Sequence, residues 1–235
     1  MGSHFEPIIF AGWPHRRKLR LLISRQKNHK NPLPGTAGFI ACLNSDHAYN
    51  NLMTQYRRSH FQGGTYFFTV VTYNRLPIFL DEDCRKILHN AWMTVQAKHP
   101  FQTDAVCLLP NHIHCIWALP EMDSNYSVRW KEIKRLFTRH YLEQVGPGNI
   151  RNASHIKQGE AAIWQRRFWE HSILDDEDLN RHRDYIHYNP VKHGLVTRAA
   201  DWPWSSFQRF VRMGYYEANW GEGIEKRLLH QVEGE

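Results

Sequence analysis

TDAVCLLPNHIHCIWAL, residues 103 to 119, reads as two apolar strands joined by Pro110 and Asn111. So short a turn makes the strands antiparallel, giving a hairpin of residues 103–109 and 112–119. Side chains alternate along a strand. His112 and His114 therefore share one face, while Ile113, Cys115 and Trp117 point to a core on the other.

Upstream of the hairpin, GGTYFFTVVTYN (63–74) is β-branched and aromatic between a glycine pair and an asparagine, and predicts a first strand. Residues 81–100 follow with acids in the first turn and Ile87, Leu88, Ala91, Trp92 and Val95 at helical spacing. Downstream, residues 127–145 predict a second amphipathic helix with Trp130, Ile133, Phe137 and Tyr141 on one side. Residues 146–160 are polar and glycine-containing and read as a loop. Residues 167–174 predict a fourth strand. Residues 175–188 predict a helix with four acids at its start, where the macrodipole favours them, and Asn189 and Pro190 should end or kink it. The order β, α, β, β, α, β around a central hairpin predicts an α+β, ferredoxin-like (split βαβ) antiparallel sheet. Its two helices cover one face, and a C-terminal helix and an aromatic-rich tail from about residue 199 follow.

At 235 residues with 42% hydrophobic and 13% aromatic content, the chain can bury a substantial core and is not a disordered protein. No run approaches the roughly 20 apolar residues that span a bilayer, the start lacks a signal-peptide pattern, and a cytoplasmic address is expected. Cys42, Cys84, Cys107 and Cys115 lack CxxC spacing, which argues against a disulfide framework or a cysteine zinc site. The net charge of +7 is concentrated upstream: residues 1–52 hold 7 Lys/Arg against 2 Asp/Glu, leaving 23 against 21 for the remainder. That head shows no persistent period. It reads as a poorly ordered tag or upstream extension, MGSH as a tag remnant and Met53 as a natural start, with residues 53–235 forming the domain. Local patches must then carry any nucleic-acid reading. Arg129, Lys131, Lys134, Arg135 and Arg139 face one acid, Glu132. Such a face is ordinarily a solvated one, and it also suits a rail for a phosphate backbone.

A lone His-x-His pair leaves ligation and packing both open. Two imidazoles under-coordinate a divalent cation, so a further ligand must come from elsewhere. In RDYIHYNPVKHG (183–194), Tyr185 and Asn189 are four apart and share a helix face, and a helix laid over the open sheet face would bring both to His112 and His114. Tyr188 is a rival to Tyr185, but Asn189 points about 100° away from it. His187 and His193 could assist a proton transfer but read better as packing or capping groups, and Asp184 reads as a surface partner of an arginine.

NHIHCIW resembles the His-hydrophobe-His motif of HUH nucleases. YIHYNPVKHGLV followed by DWPWSS is similar to the REP-associated tyrosine transposases, as are YRRSHFQGGTYFFTV, LPNHIHCIW, RWKEIKRLFT and WQRRFWEHSI, over roughly residues 53–220. The resemblance implies that His112, His114 and Asn189 hold Mg²⁺ or Mn²⁺ and that Tyr185 is the nucleophile. The substrate class it implies is single-stranded DNA carrying a palindromic-repeat hairpin, cut through a 5′-phosphotyrosine, in a nucleoid-associated enzyme that is a monomer, with a dimer as the alternative. Arg129, Lys131, Lys134, Arg135, Arg139, Arg166 and Arg167 are then the expected DNA contacts. Tyrosine, with a reference pKa of about 10, needs positioning and deprotonation to attack. Imidazole is softer than the oxygen ligands Mg²⁺ prefers, which favours Mn²⁺. A non-catalytic hairpin-binding protein on the same scaffold is the alternative, and a hydrolase of small phosphoesters ranks last.

Overall fold

The computed structural model of the chain describes residues 61–146 and 162–222. The expectations for the head, for most of the 146–160 loop and for the last residues lie outside that range. Strand β1 (Thr65–Val71) leads through two short 3-10 turns into helix α1 (Glu82–Lys98). Strands β2 (Gln102–Leu109) and β3 (His112–Ala118) form the hairpin, and helix α2 (Tyr126–Val145), strand β4 (Trp169–Ser172), helix α3 (Asp176–Lys192) and helix α4 (Phe207–Arg212) follow. The sheet order is β2-β3-β1-β4 with every neighbouring pair antiparallel, which is the split βαβ sandwich.

The helix starts follow from local chemistry. Asp81 caps α1 by accepting from the Cys84 N–H, Asn125 caps α2 from Val128, and Asp175 caps α3 from Asp178 at 2.8 Å. One sheet face packs on α1 and α2. Tyr66, Phe68, Val106, Cys115 and Trp117 meet Trp92, Trp130, Ile133 and Phe137 there, with Trp117 stacked on Trp130 at 4.4 Å. All seven residues of β1 are buried because the second face is covered as well. Phe67, Cys107, Leu109 and Ile116 pack there against Leu179, Tyr185 and Ile186 of α3 and against Trp202 and Phe210 of the tail. The tail aromatics thus close a core, and the Trp202 indole N–H donates to the Leu108 carbonyl at 3.0 Å.

Two details of α3 correct the sequence reading. The helix does not end at Asn189; it runs through Pro190 to Lys192. Residues 185–190 are all buried against the sheet and tail, so packing sustains a turn that proline alone would disfavour. It stops where Gly194 takes a φ of 68° and the Leu195 N–H bonds back to the Pro190 carbonyl at 2.9 Å, a glycine C-cap. The helix is also pinned to the sheet from a place the sequence did not suggest. A bulge between Thr103 and Ala105 sets Asp104 apart from the ladder, and its carboxylate takes two hydrogen bonds from Arg183 of α3, at 2.6 and 2.7 Å.

Candidate active site

The face of β3 under α3 carries His112 and His114, both buried, with ring centres 4.8 Å apart. Each ring is oriented through Nδ1. In His114 it meets the Thr69 hydroxyl at 3.0 Å, and in His112 it meets the Asn111 side-chain oxygen at 2.5 Å. Such outer partners set tautomer and ring direction, and they turn Nε2 of each ring to the buried side. Thr69 reaches its position because it pairs with His114 across the β1/β3 ladder.

Helix α3 brings the other half. Tyr185 is buried, its ring edge-on to His114 at 5.2 Å and to Phe67 at 5.9 Å. One turn on, Asn189 is fully buried, and neither its Oδ1 nor its Nδ2 has a hydrogen-bond partner among the described residues. A buried amide left in that state costs stability, and its carbonyl oxygen is free to serve as a ligand atom. Two imidazole nitrogens and an amide oxygen form a donor set that borderline and hard divalent ions both accept. The residues therefore fit the metal that the resemblance implies. All four members come from one chain.

The remaining expected residues divide. Arg129 is not a surface cation. It is 2% exposed, bonds Asp123 at 2.7 Å, and donates to the carbonyls of His99, Pro100 and Asn125, so it ties α2 to the end of α1. The reason is that its helix position faces the core edge, where a guanidinium survives only fully bonded. Lys131, Arg135 and Arg139 are exposed, Arg135 pairing Glu132 and Arg139 pairing Glu143. Lys134 donates to the Gln165 carbonyl at 2.9 Å beside Trp164 and Phe168. Because α2 packs on the sheet face opposite the histidine pair, these cations lie across the sheet from Tyr185. Arg166 and Arg167 are exposed on the approach to β4.

Other α3 groups follow or depart from expectation. His187 is buried between the Ser206 hydroxyl at 2.8 Å and the Tyr216 hydroxyl at 3.2 Å, and burial pushes its pKa well below the usual histidine range. It packs, as its sequence position suggested. Asp184 is not a surface partner of arginine: it accepts from Tyr216 at 2.8 Å, and burial raises its carboxyl. His193 is exposed, with its ring 5.3 Å from His112.

Two arrangements escaped the sequence reading. Lys192, in the last turn of α3, holds its ammonium 4.9 Å from the centre of the Tyr185 ring. Its spacing of seven residues from Tyr185 was the available signal. At the other end of the helix, Asp178 lies between His171 of β4 and His182, bonded to them at 2.8 and 3.1 Å. Burial pushes the Asp178 carboxyl up, but the hydrogen bonds from the two histidines and the Leu174 N–H outweigh it and hold the group well below the usual range. Only the pairing of β4 beside α3 reveals that cluster.

No family model matches the chain. It is 45% identical over 180 residues to a Haemophilus influenzae protein described as a putative REP-associated tyrosine transposase, covering 77% of this chain and all of that one. It is 43% identical to the Escherichia coli REP-associated tyrosine transposase, covering 73% of this chain and 93% of that one. A solved REP-associated tyrosine transposase bound to a REP hairpin superimposes with a TM-score of 0.61 at 41% identity, covering 74% of this chain and 94% of the other. With relatives this similar along most of both chains, and with the histidine pair and the helical tyrosine and asparagine met on one sheet face, the chain belongs to the REP-associated tyrosine transposase family.

Proposed function

We propose that this chain is a metal-dependent single-strand DNA endonuclease and strand transferase that recognises a palindromic-repeat hairpin and cuts beside it through Tyr185. The observation that carries the reading is the Tyr185 ring set edge-on to His114 at 5.2 Å in the same chain. The next turn of the same helix adds the buried Asn189 amide, which has no hydrogen-bond partner among the described residues.

His112, His114 and Asn189 would hold Mg²⁺ or Mn²⁺, the two histidines favouring Mn²⁺. When bound, the ion supplies Lewis-acid polarisation of a non-bridging phosphate oxygen. The chain does the rest. Thr69 and Asn111 keep both imidazoles in place. The packing of Phe67, Ile186 and Trp202 fixes the helix that carries the nucleophile and keeps water from the reacting groups. Tyr185 attacks phosphorus in line, leaving a 5′-phosphotyrosyl ester and a 3′-hydroxyl. The ester conserves the bond energy, so rejoining needs no nucleotide cofactor. Because one chain supplies the nucleophile and all the metal ligands, a monomer is the working unit of this reading.

An oligonucleotide with a repeat hairpin and single-stranded flanks, incubated with the protein and Mn²⁺, should yield a covalent adduct stable to denaturing electrophoresis. Tyr185→Phe should abolish it while keeping hairpin affinity within about twofold, since only an oxygen is removed. An adduct formed by the phenylalanine protein would overturn the assignment. Tight hairpin binding by the parent, with no adduct under either metal, would leave only a hairpin-binding protein.

A further inference from the structure

We propose that Lys192 is a further catalytic residue, whose ammonium pairs with a non-bridging oxygen of the phosphate that Tyr185 attacks. The inference rests on the reading of Tyr185 as the nucleophile. Because α3 continues through Pro190, Lys192 lies in its last turn rather than in a loop. Tyr185, Asn189 and Lys192, at successive spacings of four and three, form one stripe along the helix. Tyr185 sets its ring edge-on to His114 at 5.2 Å, and the end of the stripe places the Lys192 ammonium 4.9 Å from the centre of that same ring.

The plain alternative is a packing contact. A cation over an aromatic ring near a helix C-terminus is favourable on both counts. Charge balance at the site points further. The divalent ion would polarise one non-bridging oxygen, and the imidazoles, the phenol and the amide around it are neutral, so the charge that gathers on the other non-bridging oxygen as phosphorus is attacked calls for a second cation. The exposed cations of α2 lie across the sheet and cannot neutralise it. Lys192 is half-buried, so its charge is screened less than that of a fully exposed lysine, and its flexible stem can follow a phosphate. A fixed donor aimed where charge develops is the usual source of transition-state stabilisation.

The step is a balanced transesterification. The Tyr185 oxygen–phosphorus bond forms as the bond from phosphorus to the 3′-oxygen breaks. The phenolic proton ends on that 3′-oxygen, directly or through solvent, and nothing is oxidised or reduced. The Lys192 ammonium keeps its protons throughout.

The test is single-turnover adduct formation by the full chain with saturating hairpin oligonucleotide and Mn²⁺. Lys192→Gln should slow it by about tenfold to a hundredfold, somewhat less than the loss of a rigid, buried oxyanion donor, with hairpin affinity unchanged within about twofold. Lys192→Arg should recover part of the rate. Substrates carrying a methylphosphonate at the cut position, taken as separate stereoisomers, remove one or the other charged oxygen. On one isomer Lys192→Gln should cause no further loss, because its partner is already gone. A glutamine protein as fast as the parent overturns the proposal, as does an equal loss on the natural substrate and both isomers, which would make the lysine structural. Parent protein that forms no adduct, or a Tyr185→Phe protein that does, defeats the functional reading itself and takes the lysine assignment with it.

Discussion

Replacing Asn189 by leucine separates the cost of the site from its use. The asparagine is fully buried, and both polar atoms of its amide lack a hydrogen-bond partner among the described residues. An unsatisfied buried polar group costs about 1–3 kcal/mol, and leucine keeps the same number and branching of side-chain heavy atoms with somewhat bulkier methyl ends. The metal-free leucine protein should therefore match or exceed the parent in stability, by up to about 3 kcal/mol. Manganese should reverse the order. A ligand bound only by the folded state stabilises it by about 2.7 kcal/mol at a hundredfold excess over its Kd, and that increment should be present in the parent and absent from Asn189→Leu. Asn189→Asp should behave oppositely, since a buried carboxylate is costly without the ion and a stronger ligand with it. Urea unfolding followed by fluorescence, with chelator or with Mn²⁺, reads all three proteins. A leucine protein destabilised by more than about 2 kcal/mol without metal would show that protein groups satisfy the amide. An undiminished Mn²⁺ increment in that protein would remove Asn189 from the ligand set.

Arg183→Met should cost about 3–5 kcal/mol because it strands the buried Asp104 carboxylate, lowering Tm by about 2–4 °C per kcal/mol. The double variant with Asp104→Asn should recover much of the loss in thermal melts, and strict additivity would refute the pairing. Arg129→Met should destabilise by about 2–4 kcal/mol in urea, as expected for a buried guanidinium bonded to Asp123 and three carbonyls. The triple variant Lys131→Ala, Arg135→Ala, Arg139→Ala should unfold like the parent and form adduct at the parent rate with saturating DNA, because those cations lie across the sheet; a collapse of that rate would argue for a DNA path over α2. Asp178, whose carboxyl is held below its ordinary value of 3.8, contributes stability that is present above about pH 4 and lost as pH falls toward its folded value. Asp178→Asn should be less stable at pH 7 and show a flatter acid limb, and a parallel acid limb would disprove the coupling.

How much was legible depended on the range of the interactions involved. The strand pair around Pro110 and Asn111, the helix starts at Asp81 and Asp175, and the shared face of His112 and His114 are local consequences of alternation, capping and turn chemistry. They were readable from neighbouring residues. The spacing of Tyr185 and Asn189 likewise put both on one helix face before any fold was known. Where the reading failed, the deciding partner was distant in sequence. Helix α3 passes Pro190 because the sheet and tail bury that turn, and a local rule about proline cannot include them. Arg129 belongs to Asp123 and the end of α1 rather than to a cationic surface, since a helical repeat alone does not show which edge of the face meets its neighbour.

The sequence by itself determined which residues have chemistry to offer and which of them share a face, since alternation and helical period depend only on positions a few residues apart. Tertiary structure decided which faces meet. It laid α3 over the histidine pair, pinned it through Asp104 and Arg183 across 79 residues, carried the helix past Pro190 as far as Lys192 and left the α2 cations on the far side of the sheet. Those choices minimise exposed apolar area and unpaired buried charge over the whole chain, a sum that no short stretch contains.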